Sequence, residues 1–362
     1  MNRVEELFVD HLLRVADEDQ DDPGAISRDM GHLERAWEMV QGDGQRMLRL
    51  IWAVGLFLRY QGFSDEFVEW ARRGIEVARS EGDRSTEGQL LNNLGLVLAE
   101  RGDIEDALHC YEAALAIHTE LEDGEELSAT LHNLGLLQAD YFGDQGLALD
   151  YFTRAPHHAE VAGDRAGEAA VRTSLGALHS DRGDPDAAQR EFEAALRIRE
   201  EQGDAAAIGT SLNHLGGLLL DRGDLAGALG LYTRALTLRE EAGHRRGVEE
   251  TLDNIGVVLF RQGEHDRAVE YFHRAIQAAQ EIGDRSGLAA IFSNLGYLYL
   301  ERDDVERART YLSRALDLAD EIGHRDRRAT VLCYLGLLQG RHGDAEEGRR
   351  MLEEALSIAE VT

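Results

Sequence analysis

The sequence of 362 residues predicts an all-α fold, an α-solenoid of stacked antiparallel helix hairpins, and three observations predict it. One glycine recurs at Gly55, Gly95, Gly135, Gly176, Gly216, Gly256, Gly296 and Gly336, in steps of 40 residues with a single step of 41. Two further series keep the same beat: Gly62, Gly102, Gly143, Gly183, Gly223, Gly263, Asp303 and Gly343, and Gly42, Gly82, Gly163, Gly203, Gly243, Gly283 and Gly323. Between these marks the apolar residues fall at helical spacing. A fixed period of this length marks a supersecondary unit that buries its apolar face only by stacking on its neighbours.

Taken in order, residues 1–43 depart from the period. Val4, Leu7, Phe8, Leu12 and Val15 share one helical face, and Leu33, Ala36, Trp37 and Val40 share another. Between them runs the acidic stretch Asp17-Glu18-Asp19-Gln20-Asp21-Asp22-Pro23-Gly24. This segment reads as a degenerate hairpin capping the array, and residues 44–362 as eight repeats. In a typical repeat, Leu91, Leu94 and Leu98 define the first helix, and Ala107, Tyr111, Ala114 and Leu115 the second. Glycine suits the left-handed position that ends a helix, and the aspartate after it caps the next one. Gly183-Asp184-Pro185 adds proline at the first helical position. The extra residue of the long step lies in 136–142, which predicts a π-bulge or a longer turn there. Pro156 predicts a second irregularity, because it lacks a backbone N–H and crowds the preceding turn.

The spacing resembles the tetratricopeptide repeat. Leu91-x2-Leu94-Gly95-x2-Leu98 matches the first part of that family's pattern, with leucine for its aromatics, and Ala107-x3-Tyr111 matches the second. The later copies are Ala148/Phe152/Ala155, Ala188/Phe192/Ala195, Ala228/Tyr232/Ala235 and Ala268/Phe272/Ala275, with Ala308/Leu312/Ala315 and Gly348/Leu352/Ala355 as weaker ones. The long repeats are similar to those of kinesin light chain and of spindle-orientation scaffolds. Residues 37–76 resemble, more loosely, the segment opening the repeat arm of signal-transduction ATPases. The resemblance implies a right-handed solenoid whose concave groove holds a protein segment. Gly95 and Ala107 are expected to let the helices of a hairpin approach closely, and Tyr111 to fill the groove against the next repeat.

Composition narrows the function. The chain has 38 basic and 69 acidic residues, a net charge of −31, and every basic residue is arginine. Without lysine there is no GxxxxGK[ST] phosphate loop and no Schiff-base chemistry. Strong negative charge argues against nucleic acid and against anionic membranes. The balance resembles proteins of salt-in halophiles of haloarchaeal type. Two cysteines, Cys110 and Cys333, make no disulfide framework. The N-terminus lacks the basic start and apolar core of a signal peptide, so a cytoplasmic, soluble protein is expected.

No residue set carries recognisable catalytic chemistry, so the reading is non-enzymatic, without cofactor or metal. Asp17, Asp19 and Asp21 occupy calcium-loop positions, but Asp22 replaces the required glycine and Arg28 the closing glutamate, which reads as a solvated loop. His157-His158 reads as a bent helix end, and Cys110 as a small core residue. The informative row precedes each Leu-Gly or its variant: Asn93, Asn133, Ser174, His214, Asn254, Asn294 and Tyr334. Before it run Asn92, His132, Thr173, Asn213, Asp253, Ser293 and Cys333. Asparagine is a poor helix former, so its recurrence needs a reason. The resemblance implies that Asn93, Asn133, His214, Asn254, Asn294, Asn213 and His132 line the groove and bond an extended peptide. The alternative is a ladder of bonds between adjacent repeats, and both readings stand at this point. A further row, Glu100, Asp140, Asp181, Asp221, Arg261, Glu301 and Arg341, forms a mostly acidic rim suited to a cationic partner. The expected partner is a protein or peptide. The protein is then a scaffold or, alternatively, a regulatory sensor arm of the kind found in signal-transduction ATPases and quorum-response regulators.

The charge makes a prediction of its own. At molar salt the Debye length falls to about 3 Å, so self-repulsion is screened, whereas at about 0.01 M it is about 30 Å. Helix content and melting temperature, followed by circular dichroism, should both fall markedly as potassium chloride is lowered from molar to tens of millimolar. Equal stability at the two ends of that range would contradict the halophilic reading.

Overall fold

A computed structural model describes residues 30–60 and 64–359. The acidic stretch, the amphipathic segment before it and the calcium-loop positions lie outside the described residues. The chain divides into two compact units, residues 1–178 and 179–362. The first contains α1 (Met30–Val40), α2 (Gly44–Tyr60), α3 (Ser64–Glu81), α4 (Arg84–Arg101), α5 (Ile104–Leu121), α6 (Gly124–Leu137) and α7 (Gln145–Ala162). The division falls within α8 (Arg165–Asp181). The second contains α9 (Pro185–Gln202), α10 (Ala205–Asp221), α11 (Leu225–Glu241), α12 (Arg245–Arg261), α13 (His265–Ile282), α14 (Arg285–Glu301), α15 (Val305–Ile322), α16 (Arg325–His342) and α17 (Ala345–Ala359). Within each unit, hairpins such as α4/α5, α6/α7, α10/α11, α12/α13, α14/α15 and α16/α17 stack in chain order. First helices also meet first helices: α4 touches α6, α10 touches α12, α12 touches α14, and α14 touches α16.

Capping follows the glycine punctuation. Asp83, Asp123, Asp144, Asp184, Asp204, Asp224, Asp284 and Asp304 each accept a bond from a backbone N–H in the first turn of the following helix. His244 and His324 take the same place through Nδ1. Asp303 and Glu122 stand where the period would put glycine, and they are the two non-glycine residues with positive φ among the described ones, at 63° and 55°.

The glycine of each first helix is explained by its neighbour. A Cβ at Gly95 would lie 2.8 Å from the Tyr111 ring, one at Gly216 2.7 Å from Tyr232, and one at Gly256 2.7 Å from Phe272. The ring of the second helix therefore lies directly on the glycine of its own hairpin. The expectation that it fills the groove to the next repeat omitted this closer contact. Tyr111, Phe152, Tyr232 and Phe272 are fully buried, as are the alanines that flank them. Within each unit the core runs between the stacked hairpins. In the first unit Trp37 of α1 stacks on Trp70 of α3, with ring centroids 4.5 Å apart.

The inserted residue sits where the spacing places it. Residues Gln138–Phe142 form a π-helical turn between α6 and Gly143. Its Tyr141 hydroxyl reaches back to the Ala99 carbonyl of α4 at 3.4 Å. Pro156 does not end its helix: α7 continues to Ala162 with Pro156 inside it. Phe152, Ala155, Pro156 and Ala159 are all buried, so packing holds the turn that proline weakens, and the Ser128 hydroxyl donates to the Ala155 carbonyl at 3.0 Å.

Because the Phe272 ring leaves no room at the glycine, Gly256→Ala should destabilise the protein by about 1–3 kcal/mol, as overpacking does. Denaturant unfolding would measure it, and an unchanged midpoint would show that the hairpin can open to admit a methyl group.

Candidate first-helix binding face

The two polar rows are fixed by helix register. Residues at Asn93 and its equivalents lie one turn from Gln89 and its equivalents and three residues from Leu96 and its equivalents, on the side of the first helix that the second helix does not cover. Asn93, Asn133, Ser174, His214, Asn254, Asn294 and Tyr334 are all half-buried, so the row forms one stripe in each unit.

Within that stripe some amides are already engaged. Asn133 Nδ2 donates to Asn92 Oδ1 at 3.0 Å, from α6 back to α4. Asn294 Nδ2 donates to both carboxylate oxygens of Asp253, at 3.1 and 3.0 Å, from α14 back to α12. His132 Nε2 and Ser174 Oγ share a bond of 2.8 Å. Burial lowers the His132 pKa to about 4, so the ring is neutral at physiological pH, and it packs 5.7 Å from the Phe152 ring. Each bond links one repeat to the next, a staggered ladder in place of like residues pairing.

His214 stacks on Phe192, with centroids 4.9 Å apart, and burial lowers its pKa. Asn213 is buried and receives Thr251 Oγ1 at 3.4 Å, in a network centred on Arg239. Arg239 is fully buried. Its guanidinium donates to the Gly247 carbonyl at 2.8 Å, Thr251 Oγ1 at 2.6 Å, Thr210 Oγ1 at 3.1 Å and Glu250 at 3.3 Å. The cation thus ties α11 to the first helices on either side.

Asn93 and Asn254 make none of these ladder bonds, and each keeps a donor and an acceptor for a ligand. Asn93 lines a cavity of about 240 Å³ with Ile51, Trp52, Gly55, Phe67, Leu96 and Val97. Sequence reasoning missed this cavity, although Trp52, a tryptophan that is 41% exposed, signals it. It also missed an aromatic shelf in the second unit. Phe260 meets Tyr297 edge-on at 5.6 Å, and Tyr297 stacks on Tyr334 at 4.7 Å, across α12, α14 and α16. Along the rim, Arg341 pairs with Glu301 at 3.3 Å, and Arg261 donates to the Leu220 carbonyl. Among the described residues, no group of three or more His, Cys, Asp or Glu could hold a metal ion. No helix in them is long and apolar enough to cross a membrane.

The tetratricopeptide repeat matches residues 86–155 and, in overlapping stretches, residues 167–360. The chain belongs to the tetratricopeptide repeat family. Among curated proteins, none matches the sequence significantly. Solved structures similar to this tetratricopeptide repeat chain include the quorum sensor NprR from B. thuringiensis, at 15% identity and a TM-score of 0.66, covering 98% of each chain. A Rap protein complexed with competence and sporulation factor aligns at 16% identity and a TM-score of 0.63, again over 98% of each. A signal transduction ATPase with a tetratricopeptide repeat sensor, from Pyrococcus horikoshii, aligns at 15% identity and a TM-score of 0.64, over 99% of this chain and 53% of that one. At these identities the likeness is one of fold.

The two kinds of asparagine separate in stability. Asn294→Ala leaves the half-buried Asp253 carboxylate without its donor and should cost about 1–3 kcal/mol. Asn254→Ala should change stability by less than about 0.5 kcal/mol, as a site without partners does. Paired denaturant titrations check both, and equal losses would show that Asn254 also belongs to the ladder.

Proposed function

We propose that the protein is a non-enzymatic sensor arm that holds a protein segment or peptide along the polar stripe of its first helices. The observation that carries this reading is Asn93, an amide outside the ladder, at the edge of an apolar cavity. The amide offers donor and acceptor to a peptide backbone, and the cavity takes an apolar side chain of the same segment. Asn254 offers the same chemistry beside the aromatic shelf of the second unit. Support for a sensor over a passive scaffold comes from the similar folds: a quorum sensor, a Rap protein complexed with a factor, and the sensor of a signal-transduction ATPase. In this reading the lysine-free, acidic surface keeps the arm soluble at high salt.

The test is capture of a partner in high salt, followed by titration with the bound segment. Each amide bond is worth about 0.5–1.5 kcal/mol net. Asn93→Ala or Asn254→Ala should therefore weaken the segment that lies over it, by up to about tenfold, since about 1.4 kcal/mol is tenfold. Melting temperature should stay unchanged. Unaltered affinity in both variants would place the partner on another face.

A further inference from the structure

Helix α12 differs from the other first helices in where it places its acids. Glu249 holds a register position occupied elsewhere by Gly88, Ser128, Ala169, Gly209, Ala289 and Ala329. Asp253 holds one that is neutral in every other full repeat, and so does Glu250. Acidic surface composition does not account for this. Glu249 is only 5% exposed, and its carboxylate lies over the backbone of α14, where a Cβ added to Gly287 would meet Oε1 at 2.6 Å.

The treatment of buried acids elsewhere supplies the contrast. Glu87 is paired by Arg79 and Arg84, and Glu168 by Arg165 and Arg172. Among the described residues, Glu249 and Asp253 have no cation within 4 Å. A buried carboxylate without a counter-ion is costly when ionised, and protonation relieves that cost.

The surroundings of the pair are mixed. On α12 itself stand Arg246 and Glu250. Across the joint, α14 presents Asp284, which caps its own helix through Gly287 N and lies 3.4 Å from Arg246. It also presents Asn294, bonded to Asp253. Arg327 of α16 acts on Asp253 from further off. Toward Glu250 stand Arg239 of α11 and His214 of α10. The N-cap of α12 is His244. On α13, Ala279 holds the register position of Arg239.

We propose that the α12–α14 joint is proton-sensitive, tight when Glu249 and Asp253 carry protons and looser, between Asn254 and Asn294, when both are ionised. This goes beyond peptide binding and does not depend on it. Burial, with Asp284 and Asp253 nearby, pushes Glu249 up to about 7. Burial pushes Asp253 up to about 6, against the pull of the Asn294 bond and of Arg327. Both folded values are raised, so the contribution to stability is complete below the unfolded carboxylate range and is lost as pH rises through about 6 to 7. His244 caps α12 through Nδ1 and is kept in the variants below.

The experiment is hydrogen exchange of the full chain at fixed high salt, near pH 8 and near pH 5.5, after correction for intrinsic rates. Each group contributes at most about tenfold per pH unit between its two values. Protection of α12 and α14 should therefore rise by about tenfold or more on acidification, relative to Glu249→Gln/Asp253→Asn, which keeps His244. A control, Glu241→Gln/Glu270→Gln, removes two exposed carboxylates and should retain the wild-type dependence. If the double variant does not fold, Glu249→Gln alone should lose the larger part of the effect. Full pH dependence in the Glu249→Gln/Asp253→Asn chain, or its loss in the control, would overturn the proposal.

Discussion

The structure depends on one close approach, a large side chain of the second helix, an aromatic ring in most hairpins and leucine at Leu312 and Leu352, lying on a bare glycine of the first. A methyl group at Gly95, Gly216 or Gly256 would fall within 3 Å of that ring. This contact sets the separation of the two helices, and the separation sets which first-helix residues the second helix covers. Everything on the uncovered side, including the asparagine stripe, the apolar cavity and the aromatic shelf, inherits its position from that spacing. Glycine is normally a poor helix residue, so its repetition here marks a packing need stronger than propensity.

Polar groups inside the stack are handled in two ways. Most are satisfied across repeat boundaries: Asn133 by Asn92, His132 by Ser174, Asn294 by Asp253, and Arg239 by three hydrogen-bonding neighbours besides Glu250. Such bonds matter less for their net energy than for the register they enforce, since a displaced helix would leave a buried amide or charge alone. The α12 carboxylates Glu249 and Asp253 differ in lacking a paired cation, and they lie on the same helix as Asn254, an asparagine of the row that stands outside the ladder.

Much of this was legible in the sequence because glycine and its spacing are local signals. Three registered series specify hairpins, turn positions and the site of the inserted residue, and the π-turn at Gln138–Phe142 lies inside the segment that holds the forty-first residue. Pro156 was legible only as a local defect. That α7 runs through it depends on the burial of Phe152 and Ala159, which no local rule supplies. The asparagine row could be read as a row, but not which members are occupied. That choice turns on partners 41 residues away, such as Asp253 for Asn294. The cavity beside Asn93 is made by residues from α2, α3 and α4 together and has no signature within any one of them.

One feature of the packing bears on how such an array can change over generations. Gly88 faces His118, and Gly209 faces Arg239, so a bulky polar residue on the second helix is matched by an absent side chain on the first. In the register of the α12/α13 hairpin the sizes are exchanged, with Glu249 on the first helix and Ala279 on the second. The two positions form a lock and key carried within a single hairpin. Crossovers that join the first helix of one repeat to the second helix of another would bring together two bulky groups, or leave a hole. Crossovers that move whole hairpins keep each pair intact. For the α4/α5, α10/α11 and α12/α13 hairpins, a rearrangement that keeps the whole hairpin therefore keeps the sizes at these two positions matched.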